Sequence, residues 1–451
     1  MFLQFINHAS CVYSNGKKNL LTDPWYSGAV FDGGWKLFIE NNKTEIKSLL
    51  KKIDFIWYSH EHPDHFSINF LNNFEKEIKE RNIFFLFQKT KDQRVVDFLH
   101  KKKFNLIELN DNQKFQIDTN FEIKIQKLDF YDSALVANID GIKIFNLNDC
   151  PLKTEGEIKL FKKNYGICDF LLTQFSYAAW KGGKSNKNWR VRAAKEKLET
   201  LVMQSNILKA RYTIPFASFI YFSDRLNFYL NDSVNKPDDL LKIKKKLNSE
   251  LLLLKPFEKV DLKKPIKNYN GYKFWKKIYT QLNVPISFEK KKPQYTEDDL
   301  YKSFRIYINR LKKNNSFFFI KFISKLKFLQ TFQPIIVKLK DLNKVFYIDL
   351  ANESFKTSFQ KEDIEMNTRS LILIFREDFG FDTLTVNGCF EEKKNGAFIK
   401  MAKSFALGNL NNLGISLNFF IIFNFKVIML FLKKLFYVKN KVEYDLIKNI
   451  E

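Results

Sequence analysis

The stretch Asp54–Phe70, DFIWYSHEHPDHFSINF, places three of the chain's five histidines within six residues. An apolar run, IDFIWYS, leads directly into HEHPDHF, which predicts that the histidines lie on a loop at the end of a strand. His60 and His62, two positions apart, can converge on one ion, while Asp64 and His65 turn towards a second. Because imidazole and carboxylate ligands together favour transition metals, we expect Zn²⁺, with Fe or Mn as alternatives.

The composition is that of a large, basic globular chain. It has 451 residues, 45% of them apolar, and a formal net charge of +25. The length suffices for more than one domain. The lysines are spread along the chain without a long basic tail. The positive charge therefore indicates either an ordinary solvated surface or a surface that attracts a small anionic substrate. We expect no specific nucleic-acid binding.

The cysteines indicate a reducing compartment. Cys11, Cys150, Cys168 and Cys389 are widely separated and form no C-x-x-C pair, which argues against a zinc finger, a redox dithiol or a disulfide framework. The N-terminal sequence MFLQFINHASCVY lacks the basic and apolar regions of a signal peptide. We therefore expect a cytoplasmic protein.

The chain divides into three regions by pattern. From residue 1 to 235, short apolar strands alternate with helices, and several strands end in Asp or His, which predicts a layered α/β enzyme domain. Residues 236–295 are rich in Lys and Pro and are interpreted as a helical linker region. Residues 296–451 predict a smaller α+β region that begins with a helix capped by Thr296 and ends in apolar helices.

The C-terminal run LNFFIIFNFKVIMLFLKKLFYVKNK, residues 417–441, is strongly apolar. Asn418, Asn424 and Lys426 interrupt it, whereas a spanning helix needs about 18 apolar residues in a row. We expect no membrane-spanning helix. A core helix and a helix in peripheral contact with a membrane surface remain as alternatives.

The H-x-H-x-D-H pattern after a strand resembles the metal-binding loop of the metallo-β-lactamase fold superfamily. The opening INHASCVYSNGKKNLLTDPW is similar to one branch of that superfamily, in which a His near the N-terminus and an Asp before Pro-Trp border the loop; these are His8 and Asp23 here. GIKIFNLNDC resembles the strand that ends in the metal-bridging carboxylate, which implies Asp149. The resemblance implies an αββα sandwich followed by a smaller α+β region.

A narrower resemblance extends along most of the chain. The segments YSHEHPDHFS, DSALVANIDGIKIFNLNDC, IPFASFIYFS and FGFDTLTVNGCFEE are similar, in this order, to the CMP-N-acetylneuraminate hydroxylases, monooxygenases that modify a sialic acid. Those enzymes also carry a Rieske iron–sulfur domain, whose cluster needs C-x-H and C-x-x-H motifs. Neither motif occurs in this sequence. The chain thus resembles the metallo-β-lactamase-like part of such an enzyme without its Rieske domain.

The sequence departs from the hydrolase pattern of the superfamily at two places. Active hydrolases carry two further metal-binding histidines, but the corresponding segments QKLDFYDSAL and RYTIPFASF contain none. Asp132, in the first segment, is either a replacement carboxylate ligand or a loop cap. We expect the site to hold one or two ions. The predicted metal ligands are His60, His62, Asp64, His65, Asp132 and Asp149.

The resemblance also suggests roles in a reaction. A bound dication lowers the pKa of its water to about 7, so hydroxide could attack a phosphoryl or acyl centre at neutral pH. We assign the general base to Asp64 or Asp149, and charge neutralisation to basic side chains that include Arg190. His100, in a predicted surface helix, receives no role. The residues predicted to face the substrate are His8, Asp23, Lys181 and Lys184.

Two functional hypotheses follow. The first is a metal-dependent hydrolase acting on an anionic substrate such as a nucleotide sugar, a phosphodiester or a lipid headgroup. The second is the substrate-binding component of a CMP-sialic-acid-like hydroxylase system that needs separate Rieske and reductase proteins. A tightly bound metal favours the first hypothesis, and binding of CMP-linked sugar acids favours the second.

Overall fold

Strands and helices alternate along the chain and build two connected units. The computed structural model describes residues 1–128, 132–264, 270–283, 293–412 and 414–421. The strands are β1 Phe2–Asn7, β2 Ser10–Ser14, β3 Asn19–Thr22, β4 Trp35–Leu37, β5 Phe55–Trp57, β6 Phe84–Gln88, β7 Asn105–Leu109, β8 Lys114–Asp118, β9 Phe121–Lys127, β10 Ser133–Ile139, β11 Ile142–Asn148, β12 Phe170–Gln174, β13 Tyr212–Phe216, β14 Ile220–Phe222, β15 Glu250–Leu251, β16 Lys259–Asp261, β17 Ile335–Leu339, β18 Lys344–Asp349, β19 Ser354–Thr357, β20 Ile364–Met366 and β21 Phe390–Glu392. The helices are α1 Lys43–Leu50, α2 Ile68–Asn73, α3 Glu75–Glu80, α4 Arg94–Lys101, α5 Glu155–Tyr165, α6 Lys187–Leu208, α7 Pro237–Ile243, α8 Asn270–Tyr279, α9 Glu297–Asn314, α10 Phe317–Lys325, α11 Thr368–Arg376, α12 Gly380–Asn387, α13 Ala397–Phe405 and α14 Leu407–Asn412.

Two seven-stranded sheets form the first unit. Their strand orders are β16-β1-β2-β3-β5-β6-β7 and β15-β13-β12-β11-β10-β9-β8. Strands β3, β5, β6 and β7 run parallel to one another, as do β11, β12 and β13. The ends of parallel strands meet at one edge of a sheet, and this is where sites gather in α/β folds.

Buried apolar residues separate four layers. One cluster, which includes Phe5, Trp57, Leu135 and Phe170, lies between the two sheets. A second cluster joins the outer face of the first sheet to α1–α4, and a third joins the outer face of the second sheet to α5 and α6. Because helices cover both outer faces, the architecture is the predicted αββα sandwich, and that prediction is confirmed.

The structure places part of residues 236–295, interpreted from the sequence as a linker, within the sandwich. Strand β15 pairs with β13 and β16 pairs with β1, so this segment extends both sheets. Trp275 of α8 is fully buried, donates from Nε1 to Leu254 O at 2.7 Å and stacks on Phe219 at 4.3 Å. The lysines that suggested a linker, such as those at 244–246, lie on its exposed side.

The second unit is the predicted smaller α+β region. It combines α9–α14 with a five-stranded sheet of order β19-β18-β17-β20-β21. The predicted cap is present, since Thr296 Oγ1 accepts from Asp299 N at 3.2 Å. One apolar cluster contains Trp25 and Trp180 of the sandwich together with Leu384 and other residues of this region, so the two units share a core.

The predicted apolar helices at the C-terminus lie, from residue 422 onward, outside the described residues. Among the described helices, none combines the length and the apolar character needed to cross a membrane.

Candidate metal centre

Four strand ends meet at one edge of the sandwich, and each carries a non-glycine residue with left-handed backbone. His8 follows β1, Asp23 follows β3, Asn148 ends β11 and Ala217 follows β13, with φ angles of 40°, 35°, 35° and 44°. This conformation costs a non-glycine residue about 1–3 kcal/mol and persists only where the surroundings enforce it, most often at functional sites. Ala217 N donates to His8 O at 2.9 Å, which joins a turn from each sheet.

The histidine cluster lies on the loop after β5, at this same edge. His60 and His65 are fully buried. The loop turns tightly because His65 N and Phe66 N both donate to His62 O, at 2.9 and 2.7 Å. His60 Nε2 and His62 Nδ1 lie 2.9 Å apart. His100 lies exposed on α4, as the sequence predicts.

Two groups of three side chains bring potential ligand atoms within 4.8 Å of one another: His8, Asp64 and His65, and His60, His65 and Asp149. His8 Nε2 is 3.2 Å from Asp64 Oδ2. His65 Nε2 is 3.5 Å from both Asp64 Oδ2 and Asp149 Oδ1. His65 belongs to both groups, and one nitrogen binds one ion at a time. The two groups therefore overlap in a single compact centre around His65.

The donor atoms of this centre fit a transition metal. His8 Nδ1, Asp64 Oδ1 and His65 Nε2 are buried and have no hydrogen-bond partner among the described residues. A buried polar atom without a partner costs about 1–3 kcal/mol. A cation at the centre would satisfy the carboxylate oxygen and an unprotonated imidazole nitrogen. Imidazole with carboxylate suits Zn²⁺, Fe or Mn rather than Ca²⁺.

Hydrogen bonds behind the cluster set the tautomers of the two buried histidines. Asp23 Oδ2 accepts from His65 Nδ1 at 3.0 Å and from Ser59 Oγ at 2.8 Å. Ser59 Oγ, whose own proton goes to Asp23, accepts from His60 Nδ1 at 2.9 Å. Because both rings donate through Nδ1, their Nε2 lone pairs are available to a metal. Asp23 is itself fully buried, so the structure places it behind the ligands and not on the predicted substrate side.

The charges around the centre favour a cation. Burial and the adjacent imidazoles lower the pKa of His60 well below its usual value, so this ring is neutral. Burial also disfavours a charged His65, but three surrounding carboxylates outweigh burial and raise its pKa well above the usual value. These carboxylates are Asp64, Asp149 and Asp23. A bound dication would replace that proton as the positive charge they surround.

A hydrogen-bond chain that the sequence did not reveal supports Asp149. Gln174, the last residue of β12, donates from Nε2 to Asp149 Oδ1 at 2.5 Å. Lys197 Nζ, from α6, donates in turn to Gln174 Oε1. Burial lowers the pKa of Lys197 to about 8, against the effect of the Asp149 carboxylate. The one available signal was the position of Gln174 at the end of a buried strand, the same feature that indicated Asp149.

A cleft of about 1010 Å³ opens from the cluster towards the C-terminal region. His60, His62 and Asp132 line one side, and residues of α11 and α12 line the other. Asp132 Oδ1 is 3.7 Å from His60 Nδ1. Burial, reinforced by the Asp149 carboxylate, raises the pKa of Asp132 to about 7. The volume is at the upper end of the range for small-molecule sites.

The loop of residues 28–35 connects the histidine cluster to the far wall of the cleft. The ring of Phe31 lies 5.7 Å from the ring of His62. The next residue, Asp32, accepts from Arg369 Nε at 2.5 Å. Within the described residues, Nη1 and Nη2 of Arg369 have no acceptor, so a residue that lines the cleft retains two free donors.

The predicted basic residues of the 181–190 segment do not line this cleft. Lys184 Nζ pairs with Glu391 Oε2 at 2.9 Å. Arg190 is 1% exposed, pairs with Asp232 at 2.8 Å and donates to two carbonyls of its own loop. Lys181 lies near enough to Lys197 to lower its pKa. The structure thus gives Lys184 and Arg190 partners within the protein.

Comparison with known proteins supports the resemblance drawn from the motifs. No protein-family model matches the chain. The cytidine monophosphate-N-acetylneuraminic acid hydroxylase of Danio rerio is 24% identical over 251 residues, which covers 52% of this chain and 41% of that protein. The Sus scrofa hydroxylase is 26% identical over 264 residues, covering 55% and 59%. The Homo sapiens relative, named inactive, is 25% identical over 268 residues, covering 56% and 52%. The chain spans about half the length of these relatives.

The solved structures that the comparison found have low identities and low TM-scores. CmlA, a diiron β-hydroxylase from Streptomyces venezuelae, has a TM-score of 0.42 and 13% identity and covers 57% of this chain and 53% of that one. A possible metal-dependent hydrolase from Veillonella parvula has a TM-score of 0.41 and 12% identity, covering 58% and 98%. The sheet orders and the helices that cover both sheets show the αββα sandwich that the resemblance of the histidine loop implies.

Proposed function

We propose that this protein is a metal-dependent enzyme of the hydrolase type that acts on an anionic substrate in the cleft. The observation that carries the proposal is the convergence of His60, His65 and Asp149, whose ligand atoms lie within 4.8 Å of one another while the buried His65 Nε2 has no hydrogen-bond partner among the described residues. The substrate classes are nucleotide sugars, phosphodiesters and lipid headgroups. The four cysteines are buried free thiols, which supports a cytoplasmic location.

The metal would supply the nucleophile, since bound Zn²⁺ lowers the pKa of water to about 7. The chain's own residues prepare the reaction. Asp132 both lines the cleft and lies beside His60, so its carboxylate is placed to accept the proton of an attacking water. We assign the base to Asp132 because the alternatives predicted from the sequence, Asp64 and Asp149, both point to His65.

Arg369 supports the choice of an anionic substrate. Its Nε is held by Asp32, and the two remaining donors belong to a planar group that binds a carboxylate or phosphate through two parallel hydrogen bonds. Burial raises the pKa of the Asp32 carboxyl, and the adjacent Arg369 limits this rise. An anion between Arg369 and the metal centre would span the cleft.

Metal analysis of protein purified without added metal is the first test. We expect a tightly bound transition ion in the wild type, loss of the ion in His60→Ala, and retention in His100→Ala, which removes an exposed histidine of the same chain. Hydrolysis of a generic phosphodiester, a lactone or a thioester should occur with the proteins that retain the ion and be lost with His60→Ala. Absence of a bound ion, or equal binding by His60→Ala and the wild type, would contradict the proposal.

A second candidate function is supported by the sequence similarity to the hydroxylases over 52% to 56% of this chain. In that case the protein binds a CMP-linked sugar acid and a metal, and separate Rieske and reductase proteins supply electrons. Calorimetry with CMP-N-acetylneuraminate and with CMP separates the candidates. Binding of the sugar nucleotide without hydrolysis supports the hydroxylase component, and hydrolysis of generic substrates without such binding supports the first proposal.

A further inference from the structure

The surface around α10 carries an unusual concentration of exposed aromatic side chains. The exposed fraction is 75% for Phe318 and 49% for both Phe322 and Phe419. Phe419 lies 6.0 Å from Phe318 and 6.4 Å from Phe322, ring centre to ring centre, so residues far apart in sequence join in one surface. We call Phe318, Phe322 and Phe419 the aromatic patch. Contiguous exposed apolar surface of this kind marks an interaction site.

The helix beneath the patch is held by other residues. Ser316 caps α10 by accepting from Phe319 N at 3.3 Å. Ile320 is 1% exposed and packs into the core of the C-terminal region. Phe318 and Phe322, four positions apart, share the outer face of the helix. Their exposure therefore does not serve the packing of α10.

The patch is interleaved with unpaired positive charge. Lys321 and Lys325 are exposed on α10, and neither has an ion-pair partner among the described residues. No Asp or Glu occurs in the sequence between Asp299 and Asp341, nor between Glu392 and Glu443. Both chain segments that meet at the patch are thus rich in Lys and Phe and free of acids.

We propose that the aromatic patch docks the protein on an anionic lipid surface. Phenylalanine side chains on one helical face can enter the boundary between headgroups and acyl chains, while lysines at the same level contact anionic headgroups. The surface is distinct from the cleft, because no residue of the patch lines it.

The charge of the patch argues against two other occupants. In a symmetric dimer the same surface would face its own copy, so Lys321 and Lys325 would meet identical lysines without an acid between them. Residues 422–442 of the chain contain lysines and no acid, so they cannot neutralise the patch either. An anionic lipid surface complements both the apolar and the basic character.

Vesicle flotation of the full-length protein tests the proposal. We expect binding to vesicles of phosphatidylcholine mixed with phosphatidylglycerol, and little binding to phosphatidylcholine alone. Phe318→Ser combined with Phe322→Ser should weaken binding about ten-fold or more for each residue. The matched control is Phe359→Ser, which removes a fully exposed phenylalanine outside the patch. Circular dichroism and metal content confirm that each variant is folded.

The charge is tested in the same assay. Lys321→Gln and Lys325→Gln should each weaken binding about five-fold at low salt. Lys244→Gln and Lys245→Gln, which change exposed lysines elsewhere, should leave binding unchanged. Equal binding to neutral and anionic vesicles, or equal losses in both lysine pairs, would overturn the proposal.

Insertion of the patch is tested separately. Because the native cysteines are buried, Phe318→Cys can be labelled selectively with an environment-sensitive fluorophore. We expect its emission to shift to shorter wavelength on anionic vesicles, with no shift for the same label in Phe359→Cys. A shift that appears with protein concentration alone, or with polyuridylate but not with vesicles, would assign the patch to a dimer or to RNA and overturn the proposal.

Discussion

Replacing Asp23 by Asn should weaken metal binding, although Asp23 is not a ligand. Its carboxylate accepts from Ser59 N at 2.8 Å through Oδ1, and from Ser59 Oγ and His65 Nδ1 at 2.8 and 3.0 Å through Oδ2. An Asn in the same position keeps Oδ1 as an acceptor but presents an NH₂ group to His65. His65 Nδ1 would then have to accept a hydrogen bond, so the ring proton would move to Nε2, where the metal binds.

The expected loss follows from this change of tautomer. Substitution of a group that orients a metal-ligating histidine typically lowers metal affinity 10- to 100-fold, or about 1.4–2.7 kcal/mol. The apoprotein should stay folded, because Asn has nearly the same shape and the bond from Ser59 N is retained.

Competition with a chelating dye gives the metal affinity of the wild type and of Asp23→Asn. Asp54→Asn is the matched control, because Asp54 is also a largely buried carboxylate that accepts from a backbone N–H, but it pairs with Lys18 and not with the histidine cluster. The control should bind metal as the wild type does. If Asp23→Asn also binds with wild-type affinity, Asp23 does not set the tautomer of His65 and the argument fails.

Three further predictions concern the metal, the sandwich and the loop at 181–190. Removal of the ion by a chelator should lower Tm in calorimetry, since an ion at 100-fold excess over its Kd stabilises the folded state by about 2.7 kcal/mol; His60→Ala should show no such shift. Trp275→Ala should lower the free energy of unfolding, measured by urea denaturation, by about 3–5 kcal/mol, because the indole is fully buried against the sandwich. An unchanged free energy of unfolding would mean that α8 does not belong to the sandwich. Arg190→Met should lower the free energy of unfolding by about 1–3 kcal/mol, because two loop carbonyls lose their hydrogen-bond donor. The loss is limited because the other partner, Asp232, is partly exposed and can be hydrated. An unchanged denaturation midpoint would exclude a structural role for Arg190.

The layered fold could be predicted because its strands and helices are long enough to show a pattern. Strand β10 contains the apolar run ALVA and β12 begins with FLL, as expected of strands covered on both faces. The extent of the sandwich could not be predicted. Strands β15 and β16 have two and three residues, too few for a periodic signal, and the surrounding Lys and Pro residues dominate the composition.

Only part of the candidate site could be predicted from the sequence, for a similar reason. The histidine cluster is contiguous in sequence, whereas Gln174, Lys197 and Arg369 join the site or its cleft only through the order of strands and the position of the C-terminal region. Their residue types carry no local signal for chemistry. Asp23 was noticed from its motif, but only its hydrogen bonds separate an orienting role from contact with substrate.

The position of His8 bears on the two histidines that the sequence lacks. The segment RYTIPFASF, residues 211–219, contains no histidine but includes Ala217, and Ala217 N donates to His8 O. This contact holds the turn after β1 against the end of β13, and His8 Nε2 then lies 3.2 Å from Asp64 Oδ2, within ligand range of His65. A histidine from the first sheet therefore lies beside the place where a ligand from the second sheet is missing. The other segment without a histidine, QKLDFYDSAL, contains Asp132, whose Oδ1 lies 3.7 Å from His60 Nδ1. His8 thus adds a nitrogen donor within ligand range of Asp64 and His65, so the absence of two histidines does not by itself argue against metal binding.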